Sequence, residues 1–157
     1  MKIVLQRILV PVDFSERSRA AVVYGAAFVE KFGGSLHVLH VVDDPVGVGV
    51  DPLMLPFTAR TAVEMSIETT AWKELRDILP KNDHDRLRTV LALEWGVPAV
   101  EILRYAKSHA IDLITMATHG RSGVTHLVMG SVAEDVVRDA PCPVLTVRQP
   151  EREFVRQ

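Results

Sequence analysis

The chain has 157 residues, 48% of them hydrophobic and 24% charged, which describes one globular domain long enough to bury a core and leaves no need for a second. With Lys and Arg at 18 against Asp and Glu at 20, the formal charge of -2 excludes a global positive field for nucleic acid or an anionic membrane. The lone cysteine, Cys142, excludes an internal disulfide and a cysteine-rich metal site, and suits the reducing cytoplasm.

From the amino end, Met1 to Arg7 has a charge soon interrupting its apolar run and no small-residue cleavage site, so it does not read as a signal peptide. No later apolar stretch has the length of a membrane span. Arg7 to Asp13 (RILVPVD) is a β-branched apolar run closed by an acid, as expected of a strand buried on both faces. Ser15 can cap the helix that follows, in which Ala20, Tyr24, Ala27 and Phe28 recur at helical spacing until Gly33 and Gly34 stop it. Ser35 to Val42 reads as a second strand. Asp43 to Phe57 holds three prolines and two glycines and reads as a long loop.

A helix is predicted from about Thr58 to Leu79, with Met65, Trp72, Leu75 and Leu79 on one stripe, before Pro80 and a polar segment break it. Leu87 to Trp95 supplies strand three. Pro98 suits the first position of the next helix, whose buried face is Ile102, Leu103, Ala106 and Ala110. Asp112 to Ala117 is strand four. A Gly-rich turn and a helical segment ending near Asp139 lead through Pro141, Cys142 and Pro143 to a last strand, Val144 to Val147.

Five strands alternating with helices imply an α/β fold: a doubly wound, five-stranded parallel sheet with helices on both faces, because each parallel connection needs a crossover. Residues 1–148 would form this domain and 149–157 a frayed, charged tail. Ligands of such sheets bind beyond the carboxyl ends of the strands, where the strand order reverses.

The segment Ala117-Thr118-His119-Gly120-Arg121-Ser122-Gly123, followed by Gly130-Ser131-Val132-Ala133-Glu134, joins a buried strand to a helix start. Glycines let backbone N–H groups approach an anion, helix N-termini favour negative charge, and Arg121 offers a guanidinium to phosphate oxygens. The competing explanation is local: Ser131 to Glu134 fits a capping box in which Ser131 satisfies its own helix, and Gly120 or Gly123 makes a turn. Asp13 could likewise be a ligand contact or a helix cap. His119 could face a phosphate or be a solvated turn residue. His37 and His40 lack metal-ligand spacing and read as packing residues, His126 as exposed, and Cys142, with no base or resolving thiol in sequence reach, as buried. Asp43 and Asp44 could hold a cation or simply solvate the start of a loop.

Val10-Pro11-Val12-Asp13, Ala117-Thr118-His119-Gly120-Arg121 and Gly130-Ser131 together resemble the universal stress protein family over nearly the whole chain. The nucleotide-binding branch of that family carries Gly, two residues, Gly, nine residues, then Gly followed by Ser or Thr. Gly120 and Gly130-Ser131 match in register, while Ala117 stands where the first glycine would be. The resemblance implies a Rossmann-like fold with strand order 3-2-1-4-5. It also implies binding of ATP, or of ADP or AMP, with Mg²⁺ held by the phosphates. Pro11, Val12 and Asp13 would lie beside the adenosine, Val41 against the adenine face, and Met116 and Ala117 beside base and sugar. Gly120, Arg121, Gly130, Ser131 and Val132 would surround the phosphates, with His119 beside them. Ala117 adds one methyl group at the strand end, which needs no rearrangement if its φ is negative.

Three functional classes follow. A regulatory switch would couple nucleotide occupancy to the loop from Asp43 to Phe57 and to an unknown protein partner. A slow ATPase or autophosphorylating enzyme, with Ser122 or Ser131 as acceptor, is disfavoured by the absence of a Walker-type lysine loop, a second acidic metal site or a water-activating base. A nucleotide-free dimeric interaction module is favoured by Ala117. The apolar last strand, Val144 to Val147, would lie at a sheet edge, where unpaired N–H and C=O groups invite a homodimer.

Overall fold

A computed structural model describes residues 3–43, 57–119 and 129–148. The elements run β1 (Arg7–Val12), α1 (Glu16–Phe32), β2 (Ser35–Val42), α2 (Phe57–Arg76), α3 (Lys81–Arg86), β3 (Val90–Trp95), α4 (Pro98–Ser108), β4 (Leu113–Ala117), α5 (Ser131–Asp139) and β5 (Val144–Val147). The five strands form one sheet in the order β3-β2-β1-β4-β5, every pairing parallel. The α/β class and the strand order are as expected.

Side-chain alternation divides the sheet into two cores. Ile8, Val10 and Val12 of β1 join Leu36 and Val38 of β2 beneath Ala21, Val22 and Val29 of α1 and Leu75 of α2. On the opposite face Leu9, Leu39, Ile114 and Met116 meet Ile102, Tyr105 and Ala106 of α4 and Ala133 and Val136 of α5. Helices therefore cover both faces, which explains why the central strands read as unbroken apolar runs. Helix α1 begins and ends as its sequence indicates. Ser15 accepts from the Ser18 N–H, and Gly33, at φ 82°, closes the last turn by donating to the Val29 carbonyl.

Several boundaries shift. The long helix runs Phe57–Arg76 rather than to Leu79, and Met65, assigned to its apolar stripe, is exposed. The polar segment after Pro80 is itself helical, α3. It buries none of its own residues; Arg86 ties it to Asp83 and, across the surface, to Glu30, and Leu87 behind it is fully buried. Strand three consequently begins at Val90, after Arg88 turns the chain at φ 48°. Helix α4 ends at Ser108, so Ala110 is not on its buried face; it lies exposed in the turn at φ 47°. Asp112 precedes β4 instead of opening it, and its Oδ2 accepts from the N–H groups of Gln6 (2.7 Å) and Arg7 (2.9 Å). Gly120, Arg121, Ser122, Gly123, His126, Asp44 and 149–157 lie outside the described residues.

Candidate functional site

β1 and β4 are sheet neighbours, yet α1 leaves β1 on one face and α5 follows β4 on the other. The chain diverges there, leaving an opening at the carboxyl ends of the two strands. A cavity of about 200 Å³ occupies it. Ten of the twelve residues marked from sequence line it: Pro11, Val12, Asp13, Val41, Met116, Ala117, His119, Gly130, Ser131 and Val132. Gly120 and Arg121 are the other two, outside the described residues.

The walls differ in chemistry. Pro11, Val12, Leu39, Val41, Pro98, Ile102 and Met116 form an apolar slot, whereas Asp13, Thr118, His119 and Ser131 bring polar groups to its mouth. Asp13 is held by the turn into α1: its Oδ1 accepts from both the N–H (3.0 Å) and the Oγ (2.6 Å) of Ser15. The carboxylate thus does shape the start of the helix while still facing the cavity. Thr118 Oγ1 and His119 Nδ1 lie 3.0 Å apart, and the Thr118 N–H donates to the Val147 carbonyl, tying the rim to β5.

Helix α5 starts at the cavity without a side-chain cap. Its N-cap is Gly130, in extended conformation at φ -62° and ψ 148°, and Ser131 is the first helical residue. The capping-box alternative for Ser131 does not hold, because the serine sits one position too late to cap. The Gly130 N–H is used by the Thr118 carbonyl (2.8 Å), which brings the backbones close. A Cβ on Gly130 would stand 3.2 Å from that carbonyl oxygen, so a side chain there would need the Thr118 backbone to give by a few tenths of an ångström. The next three N–H groups, of Ser131, Val132 and Ala133, are first-turn donors with no acceptor inside the helix. Together with the helix dipole they present a partial positive charge to the cavity. Ala117 is an ordinary strand residue paired with Val147, and its φ is not in the left-handed region. The conformational reason for glycine at that position is thus absent.

Sequence reasoning missed Ser18, Leu39, Pro98, Ile102, Thr118 and Ala133 in the lining. Ser18 resembles any polar helical residue but is buried because its Oγ donates to the Ser15 carbonyl. Pro98 and Ile102 were legible as helix start and core face, though not as a wall lying over the strand ends.

Other singled-out residues fall elsewhere. His37 is buried against Tyr105, whose hydroxyl is 2.9 Å from its Nδ1. Burial first, then His109 and Arg7, lower its pKa. His40 donates from Nδ1 to the Val12 carbonyl at 2.7 Å. Cys142 is half-buried, and its thiol pKa is raised by desolvation, then by Asp112, against a smaller opposing effect of a backbone hydrogen bond from Ile114. No group of three or more metal-ligating side chains occurs among the described residues, and no described helix is long and apolar enough to cross a membrane.

A parallel 3-2-1-4-5 sheet with a slot at the β1/β4 divergence and an open helix N-terminus beside it defines a Rossmann-like α/β domain, with its cavity at the end of the sheet where such folds place ligands. The universal stress protein family model matches residues 5–148, and the chain belongs to that family. Among curated relatives, universal stress protein MJ0531 of Methanocaldococcus jannaschii is 30% identical over 94% of this chain and 85% of its own length. MJ0577 of the same organism is 27% identical over 95% and 98%. The solved structure of UspA from Lactobacillus plantarum superposes with a TM-score of 0.72 at 25% identity, covering 94% of this chain and all of that one. A universal stress protein solved in complex with cAMP shares the fold at a TM-score of 0.64 and 18% identity, over 93% of this chain and 98% of that one.

Proposed function

We propose that this protein binds an adenine nucleotide, ATP or its relatives ADP and AMP, at the carboxyl ends of β1 and β4, and acts as a regulatory, stress-response switch. The carrying observation is the uncapped N-terminus of α5 at one wall of an apolar slot with a carboxylate at its mouth. A flat base suits the slot of Val12, Val41 and Met116, and ribose hydroxyls suit an acceptor such as Asp13. Phosphates suit the N–H groups of Ser131, Val132 and Ala133. Mg²⁺ would ride on phosphate oxygens, since it keeps much of its water shell. The protein would work in the cytoplasm and as a homodimer: among the described strands β5 pairs with β4 alone, and its outer edge would take a second copy. Light scattering that reports a monomer would remove the dimer from this reading.

The test of nucleotide binding begins by denaturing freshly purified protein and identifying any released nucleotide by chromatography. The emptied protein is then titrated with Mg-ATP, and with cAMP for comparison, against a Ser131→Pro variant. Proline suits the first helical position, and Gly130 already has the extended conformation that a residue before proline prefers. The substitution deletes one N–H at the proposed phosphate site, and ATP affinity should fall about tenfold. Absence of retained nucleotide together with absence of binding heat would defeat the reading and leave an interaction module.

A further inference from the structure

Asp13 is presented to the cavity by a turn with an unusual backbone: Phe14, which follows it, has φ 64°. A bulky residue in the left-handed region is uncommon and is kept there only when its surroundings hold it. Two contacts hold it from outside the cavity. The Phe14 ring packs on the imidazole of His40, with centroids 4.3 Å apart. His40, which stands opposite Val12 in the last register pair of β1 and β2, donates from Nδ1 to the Val12 carbonyl at 2.7 Å. A carbonyl can only accept, so this nitrogen carries the proton. One side chain therefore fixes both the last peptide of β1 and the ring that follows Asp13. Inside the turn, Asp13 Oδ1 accepts from the Ser15 N–H and hydroxyl. His40 itself is not in the cavity lining.

We infer that His40 is a positioning residue: through Val12 and Phe14 it sets the strained turn that aims Asp13, and thereby sets discrimination for ribose hydroxyls. The inference rests on the nucleotide reading above. A carboxylate discriminates between a hydroxyl and its absence only when its oxygens are fixed in place, because a mobile acceptor finds water instead.

The test uses two readouts on the full chain. Amide hydrogen exchange at Ser15 reports the turn without any nucleotide, with the Leu9 amide as a measure of overall stability. The affinity ratio of ATP to its 2′-deoxy and 3′-deoxy analogues reports Asp13. His40→Phe keeps an aromatic ring against Phe14 and deletes the donor to Val12. It should speed Ser15 exchange about tenfold relative to Leu9 and shrink the larger ribose discrimination by about the same factor. His40→Asn, whose Nδ2 falls where the imidazole Nδ1 lies, returns the donor to Val12 but not the ring against Phe14 and should restore part of both. Phe14→Leu, which removes the ring contact from the other side, should act like His40→Phe and serves if that variant fails to fold. Unchanged Ser15 exchange, or unchanged discrimination in a variant that binds ATP, overturns the inference. If the wild type binds no ATP the nucleotide reading fails by itself, and Ser15 exchange alone decides whether His40 sets the turn.

Discussion

At the amino ends of β1 and β4 the backbone is closed by protein groups. Asp112 takes the N–H groups of Gln6 and Arg7, and the Arg7 guanidinium donates to the carbonyls of His109 and Ala110 beyond the end of α4. Ser35 donates through both N–H and Oγ to the Gln6 carbonyl. At the carboxyl ends of the same strands, α5 begins with no side-chain cap and Phe14 holds a left-handed turn. One end of the sheet closes its backbone with its own polar groups, and at the other the N–H groups of Ser131, Val132 and Ala133 have no acceptor inside their helix. Stability and binding are therefore expected to separate by end of the sheet.

The largest effect should come from Gly34→Ala at the closed end. Its Cβ would meet the Gln6 carbonyl oxygen at 2.5 Å and that of Leu5 at 2.7 Å, backbone atoms that cannot swing aside. Overpacking of this kind should cost about 2 kcal/mol and lower Tm by roughly 4–8 °C in thermal unfolding. A drop of less than about 2 °C would show that this end yields more easily than its hydrogen bonds imply. Asp112→Ala should follow, at about 1 kcal/mol in urea unfolding at constant m, since it strands two N–H groups that water can partly reach. At the open end, Ser131→Pro should leave stability within about 0.5 kcal/mol while weakening ATP. A larger loss of stability would erase the contrast between the ends.

The smallest effect is a pH dependence at His37. Its folded-state pKa lies below the ordinary 6.5, chiefly because burial disfavours the imidazolium. As pH falls the unfolded chain takes up that proton first, so the stability present above 6.5 is lost as pH drops from there through the folded-state value. Comparing Tm at about pH 7.5 and about pH 5.5 should show a smaller decline in His37→Gln than in the wild type. Equal declines would assign the dependence to other groups.

What the sequence revealed followed from how strongly each element is patterned. β1, β2 and β4 are apolar on both faces because helices cover both, and such runs bounded by turn residues are hard to mistake. Helix α3 escaped because KNDHDR has no apolar stripe; ion pairs and the burial of Leu87 hold it, and neither leaves a periodic trace. At the site, the strand ends were legible because the fold class says where ligands go, and residues such as Val41 and Met116 were legible through the family resemblance. Ser18 and Ile102 come from helices whose orientation over the sheet only the packed structure fixes. The local alternative for Ser131, a cap, arose because S-x-x-E satisfies the pattern, whereas with Gly130 at the N-cap beside Thr118 the helix starts one residue earlier than a serine cap requires. His40 looked like packing, and its hydrogen bond to Val12 depends on a register visible only once the strands are paired.

The strand order also places the site in time. β1 meets β2 across a separation of 28 residues at Val12 and His40, but it meets the β4 side across 105 at Arg7 and Asp112. Distant pairings close more slowly than near ones. During synthesis, the second wall of the cavity leaves the ribosome roughly 5–20 s after the first, at ordinary elongation rates. A ligand that needs both walls would have no complete site before then. Its effect on lifetime should appear as slower unfolding, with the refolding rate left nearly unchanged.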